Sequence, residues 1–142
     1  SPDRLILKAK NDVRNEHLKL YHEADISLDP LPFNGATTTF EALSMGLPVI
    51  TLKGDRFVSR VTTSMVAHIG RPEFAANTPE AYIKISKDLS SNPNKLNEIR
   101  QNLRSQIHNS SLCNNEVYTT EMEKAYRNMW ALWCDTNDYR EF

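Results

Sequence analysis

Little in this sequence points to a metal. Only two of its 142 residues are cysteine, Cys113 and Cys134, and they lack the close spacing of zinc ligands. The four histidines, His17, His22, His68 and His108, are scattered. No metal site is assigned, and the cysteines read as free thiols of a reducing, cytoplasmic setting rather than as a disulfide. No apolar run approaches the ~20 residues that a membrane helix needs. Charge of either sign is not in excess: 17 Lys and Arg face 18 Asp and Glu, for a net charge of −1. That balance speaks against nucleic acid and anionic membranes as partners. No Walker loop and no dinucleotide fingerprint can be found, which removes two common phosphate-binding devices. No signal peptide is expected. The chain opens on Ser1-Pro2-Asp3-Arg4 without a methionine and reaches the apolar Leu5-Ile6-Leu7 almost at once, as expected of a piece of something longer.

The length suits one domain, and 39% hydrophobic residues can build a core. Arg4 to Ala9 reads as a short strand. Asn11 or Asp12 is placed to cap a helix running to about Ala24. Ile26–Leu28 reads as a second strand. A helix starting near Thr38 is expected to end at Gly46, which suits a left-handed C-terminal position, and Pro48 prevents continuation. Val49–Leu52 is a β-branched strand. Val58, Val61, Met65 and Ile69 recur at helical spacing, with Gly70 as the stop. A last short strand is expected around Phe74. Thr78-Pro79-Glu80 places a cap, a first-turn proline and an acid in succession, opening a helix to Leu89. Asn92-Pro93 opens another, through Leu96, Ile99, Leu103 and Ile107. Residues 109–115 are turn-like. A final helix spans about Thr119 to Trp133, and its stripe of Met122, Tyr126, Met129, Trp130 and Trp133 reads as core contact against a sheet or a neighbouring domain.

Strands alternating with helices imply an α/β fold: a partial Rossmann-like parallel sheet with flanking helices. Residues 1–142 form a single domain, with 116–142 as a C-terminal packing helix and tail. Such sheets bind ligands beyond the carboxyl ends of their strands. The loop Pro32-Phe33-Asn34-Gly35-Ala36-Thr37-Thr38-Thr39 leaves such an end. Free N–H groups of a helix start, helped by the helix dipole, attract an anion. Gly35 allows close backbone approach, and the three threonines add hydroxyls. Two readings of Glu41 stand together. It completes a Thr38-x-x-Glu41 capping box, or it accepts hydrogen bonds from ribose hydroxyls. The threonines likewise read as plain caps or as phosphate ligands.

The residues Leu28, Asp29, Pro32, Asn34, Gly35, Thr37, Thr38, Glu41, Leu43, Gly46, Pro48, Val49, Ile50 and Thr51, followed by Gly54, Ser59, Arg60 and Val61, carry a family pattern. In that register the chain resembles the C-terminal catalytic half of the O-linked N-acetylglucosaminyltransferases, protein-glycosylating enzymes with tetratricopeptide repeats. The similarity runs from about Arg4 to Trp133. It implies one half of a GT-B enzyme, with the first strands of that half and the whole N-terminal catalytic half upstream. The donor would be UDP-N-acetylglucosamine, used without a metal or other cofactor, and the product N-acetylglucosamine on Ser or Thr, with inversion. The acceptor protein or peptide would meet the upstream half. By the same resemblance Gly35, Ala36, Thr37, Thr38 and Thr39 surround the diphosphate, Glu41 binds the ribose, and His17 lies next to the nucleoside. Arg14 stands where the animal enzymes have a lysine, keeping charge but not geometry. Ala36 stands where they have a histidine. Ser59 and Arg60 read as a cap and an ion pair, and Asp29 as a residue that holds the loop. No residue of this chain is assigned a catalytic role. In a 3-2-1-4-5-6 strand order, Arg4–Ala9 would be the third strand and would lack its neighbour, so a homodimer or domain swap could complete the sheet. The competing expectation is a non-catalytic Rossmann-like module that binds a nucleotide or a protein partner.

Overall fold

A computed structural model describes residues 2–8 and 13–136. After a 3-10 turn at Pro2–Arg4 the elements run α1 (Arg14–Lys19), β1 (Ser27–Leu28), α2 (Thr37–Ser44), β2 (Val49–Leu52), α3 (Val61–His68), β3 (Ala75–Ala76), α4 (Pro79–Ser90), α5 (Pro93–His108) and α6 (Asn115–Thr136). The strands form a parallel sheet in the order β1-β2-β3. Ser27 sits opposite Val49 and Leu28 opposite Ile50, while Thr51 faces Ala75 and Leu52 faces Ala76. Val49, Ile50 and Thr51 of the central strand are buried on both faces, as parallel sheets require.

Helices α2, α3 and α4 pack on β2, and α5 packs on α2 and α4. Leu43, Val66, Leu103 and Ile107 supply the fully buried centre. The ends of these helices follow local chemistry. The Thr78 hydroxyl accepts from the Ala81 amide at 3.2 Å, and the Asn92 side chain accepts from the Lys95 amide at 3.1 Å. Both α2 and α3 end in the same motif. In α2 the Gly46 amide donates to the Leu43 carbonyl at 3.1 Å and the Leu47 amide to the Ala42 carbonyl at 2.8 Å. In α3 the Gly70 amide donates to the Ala67 carbonyl at 3.1 Å and the Arg71 amide to the Val66 carbonyl at 2.8 Å. Gly46 has the positive φ that the sequence predicts, 79°, and Gly70 shares it at 76°.

Four expectations change. Residues 5–8 form no strand: Leu5, Ile6 and Leu7 are exposed, and no strand among the described residues offers them hydrogen bonds; Ala9 lies outside the described residues. The first helix opens at Arg14 after Val13, which provides no side-chain cap, while the candidate caps Asn11 and Asp12 lie outside the described residues. The helix expected over Val58–Ile69 is split into a 3-10 turn, Phe57–Ser59, and α3. The Ser59 hydroxyl bonds both the amide and the carbonyl of Arg56, which holds that turn apart from the helix. Helix α6 begins earlier and ends later than its periodicity suggests. It buries none of its residues, packing chiefly on a short turn at Ser111–Cys113, so its aromatic stripe does not cover this sheet.

The two glycine stops separate backbone strain from packing. A Cβ on Gly46 would lie 2.9 Å from the Arg100 carbonyl oxygen of α5, whereas one on Gly70 would meet nothing within 4 Å. Gly70→Ala should cost roughly 1–2 kcal/mol, the left-handed penalty alone. Gly46→Ala should cost more, because α5 must also move. Urea unfolding of the two variants checks this, and equal losses would show that α2 and α5 do not pack tightly there.

Candidate functional site

The site begins with a buried carboxylate. Asp29, immediately after β1, accepts from the Gly35 amide at 2.9 Å and from the Thr51 hydroxyl at 2.7 Å. It is 4% exposed, so these bonds replace lost solvent. They tie the loop to β2 and close it over six residues. The buried Asn34 extends the tie: its amide donates to the Val58 carbonyl at 2.9 Å and its side chain to the Pro30 carbonyl at 3.3 Å. Gly35 is required by space. A Cβ there would sit 2.5 Å from the Thr39 hydroxyl oxygen and 2.9 Å from that of Thr38. Asp29 thus holds the loop, as the sequence predicts.

With the loop pulled in at Gly35, α2 starts one residue before Thr38. Ala36 is the N-cap and supplies no side-chain bond. The first intrahelical bond runs from the Phe40 amide to the Ala36 carbonyl at 3.0 Å, so the amides of Thr37, Thr38 and Thr39 precede the ladder. Thr37 and Thr38 are exposed. Thr39 turns inward and pairs with the Thr62 hydroxyl at 3.3 Å, and Thr62 in turn donates to the Gly35 carbonyl at 3.2 Å. Of the three threonines, two are exposed, with the Thr38 hydroxyl beside Gly35, and the third braces the loop against α3.

Glu41 is not a capping acid. Its Oε2 accepts from the Tyr21 hydroxyl at 3.1 Å and lies 3.4 Å from His17 Nε2. The capping box fails because the N-cap is Ala36 rather than Thr38, which places Glu41 two residues too far in, facing α1 and the turn that follows it. His17 and Tyr21 lie four residues apart and meet edge to face, with ring centroids 5.5 Å apart. Tyr21 also reaches the Thr38 carbonyl, at 3.5 Å. The structure therefore brings together His17, Glu41 and the Thr37–Thr38 corner. Arg14 opens α1, but its side chain lies outside the described residues. Arg60 is exposed and makes no ion pair among the described residues, contrary to the role expected of it.

Tyr21 joins the site without any motif in the sequence to mark it. The available signal was its place four residues after His17, on the same helical face. Burial, then the hydrogen bond to Glu41 and the Glu41 charge, push its phenol up to about 12 from the ordinary 10.0.

Residues 1–122 match the profile of Glycosyl transferase family 41. The chain belongs to that family. It is 37% identical over 123 residues to the probable UDP-N-acetylglucosamine–peptide N-acetylglucosaminyltransferase SPINDLY of Hordeum vulgare, covering 87% of this chain and 13% of that protein. The UDP-N-acetylglucosamine–peptide N-acetylglucosaminyltransferase of Caenorhabditis elegans is 30% identical over 129 residues, covering 91% of this chain and 11% of its own length. A lysine-to-methionine mutant of the Thermobaculum terrenum O-GlcNAc transferase superposes with a TM-score of 0.79 at 37% identity, over 89% of this chain and 24% of that one. The parallel sheet with flanking helices is thus the family 41 arrangement, and it fits one part of a GT-B fold. The chain spans about an eighth of the length of the SPINDLY relative, 13%.

The shifted phenol makes a signed prediction. The protonated form of Tyr21 contributes its stability fully below pH 10, and that contribution is lost as pH rises through about 12. In an ultraviolet titration, the difference between wild type and Tyr21→Phe should show one phenol ionising near 12. A midpoint near 10 would mean that neither burial nor Glu41 acts on the phenol as this geometry requires.

Proposed function

We propose that this chain is the donor-binding part of an inverting glycosyltransferase that moves N-acetylglucosamine from UDP to Ser or Thr of proteins. One observation carries the reading: the uncapped, exposed start of α2, with Thr37 and Thr38, stands beside a carboxylate held by Tyr21 and His17. The first feature suits a diphosphate and the second a ribose, and the names of the relatives supply the donor and the reaction. The amides of Thr37, Thr38 and Thr39 and the hydroxyls of Thr37 and Thr38 would meet charge that grows on the departing UDP as the anomeric bond breaks. Dipoles preset toward that charge lower the barrier without reorganising. In this reading Glu41 accepts from ribose hydroxyls, His17 flanks the nucleoside, Gly35 and Ala36 admit the phosphates, and Arg14 adds positive charge at the entry.

No residue here is given the role of proton acceptor for the Ser or Thr hydroxyl, and none is needed for donor binding. Acceptor recognition belongs to the rest of a longer, cytoplasmic polypeptide with tetratricopeptide repeats upstream. The diphosphate is met by amides and hydroxyls, with no metal in the scheme. Among the described residues no helix is long and apolar enough to cross a membrane, and no cluster of three metal-ligating side chains occurs.

Calorimetry with UDP on the natural full-length polypeptide tests the reading. Thr38→Ala and Glu41→Ala should each weaken binding about tenfold or more, the loss of a charge-assisted hydrogen bond. Thr39→Ala should leave affinity nearly unchanged and instead cost roughly 1–2 kcal/mol of stability, since its hydroxyl faces Thr62. Intact folding without UDP affinity would favour a non-catalytic interaction module. The 142-residue chain alone should show no turnover with UDP-N-acetylglucosamine and a peptide acceptor, and turnover would contradict the division of labour described here.

A further inference from the structure

We propose that Tyr21 is a positioning residue for nucleotide binding: it aligns Glu41 with the ribose and sets the ribose subsite at a fixed distance from the phosphate corner. The inference rests on the nucleotide reading above and extends it to a residue outside the family pattern.

Three observations carry it. First, the two contacts of the Glu41 carboxylate, from Tyr21 and His17, fall on the same oxygen, Oε2. Oε1 accepts no hydrogen bond from the described residues. A carboxylate held by one oxygen has lost its rotational freedom while keeping the other oxygen's lone pairs for a ligand. A vicinal diol, which offers two donors side by side, is the chemistry that such an oxygen suits. Second, Tyr21 is itself immobilised. Its ring packs against the hydrophobic core and meets His17 edge to face, so the hydroxyl position is set by packing rather than by the carboxylate alone. Third, the same hydroxyl lies 3.5 Å from the Thr38 carbonyl, in the first turn of α2. One phenol thus touches both the acid assigned to the ribose and the turn assigned to the diphosphate. Glu41 and Thr38 already share a helix face, and Tyr21 fixes how the side chain of one sits over the backbone of the other.

Hydrogen-bond donors held this way act through preorganisation: the carboxylate need not be ordered when the ligand arrives. Removing the phenol oxygen leaves the ring in the core and frees the carboxylate. The penalty should therefore appear only for ligands that carry the ribose hydroxyls.

The test compares UDP, 2′,3′-dideoxy-UDP and pyrophosphate by calorimetry on the natural full-length polypeptide. Wild type should prefer UDP to the dideoxy nucleotide. Tyr21→Phe should weaken UDP about tenfold while changing dideoxy-UDP and pyrophosphate less than twofold. In a Glu41→Ala background the Tyr21→Phe effect should vanish, because the two residues act as one unit. Equal losses for UDP and dideoxy-UDP, an effect that survives in the Glu41→Ala background, or no loss at all would overturn the positioning role and leave the nucleotide reading standing. Absence of UDP binding by the wild type would overturn that reading, and this inference with it. Should Tyr21→Phe fail to fold, 3-fluorotyrosine in place of Tyr21 keeps the shape and strengthens the donor. The preference for UDP over dideoxy-UDP must then change while dideoxy-UDP binding does not, and an unchanged preference would overturn the role.

Discussion

The buried carboxylate of Asp29 is the tie on which the rest of this site depends. Its two oxygens are committed to two different parts of the chain, the Gly35 amide and the Thr51 hydroxyl. A charge removed from water is stable only when its lone pairs are met. Here the partners are a loop amide and a side chain of the central strand, so satisfying the charge also sets the geometry of the loop against the sheet. Pulling Gly35 inward decides where α2 can begin. That start decides which threonines face solvent and which way Glu41 points.

Close packing then fixes what the tie begins. The space beside Gly35 is filled by the hydroxyls of Thr38 and Thr39, leaving no room for a Cβ. Thr39 and Thr62 join the helix start to α3, and Thr62 joins α3 back to the Gly35 carbonyl. The outcome is a rigid corner with two exposed threonines and three amides ahead of the helical ladder. On the far side, Tyr21 and His17 hold a carboxylate against the same helix. A corner braced from both sides in this way presents its groups in a fixed geometry.

Much of the fold could be read in advance where the signal is local. Thr78-Pro79, Asn92-Pro93, Gly46 and Gly70 mark helix ends through hydrogen bonds within a few residues, and each performs the predicted task. The apolar β2, alternating with helices, announced a parallel sheet. Residues 5–8 depart from the expected strand because an apolar run becomes a strand only beside a partner, and partners are not written in the run itself. The aromatic stripe of α6 announced a contact surface, but periodicity does not name what a helix faces.

The sequence by itself determined the local events: the caps and stops, the loop with its glycine and threonines, and the pattern that marks family 41. These depend on backbone and side-chain chemistry over a handful of neighbouring positions. Tertiary structure alone decided the roles of residues distant in the chain. Glu41 has two partners legible in the sequence, its own helix start and a ligand. In the folded chain its carboxylate meets Tyr21, which lies twenty residues upstream and reaches it only once the chain has folded. The same holds for Thr39, whose two preceding threonines are exposed while it meets Thr62. In each case the deciding contact spans a separation over which sequence pattern carries no direction, and packing supplies it.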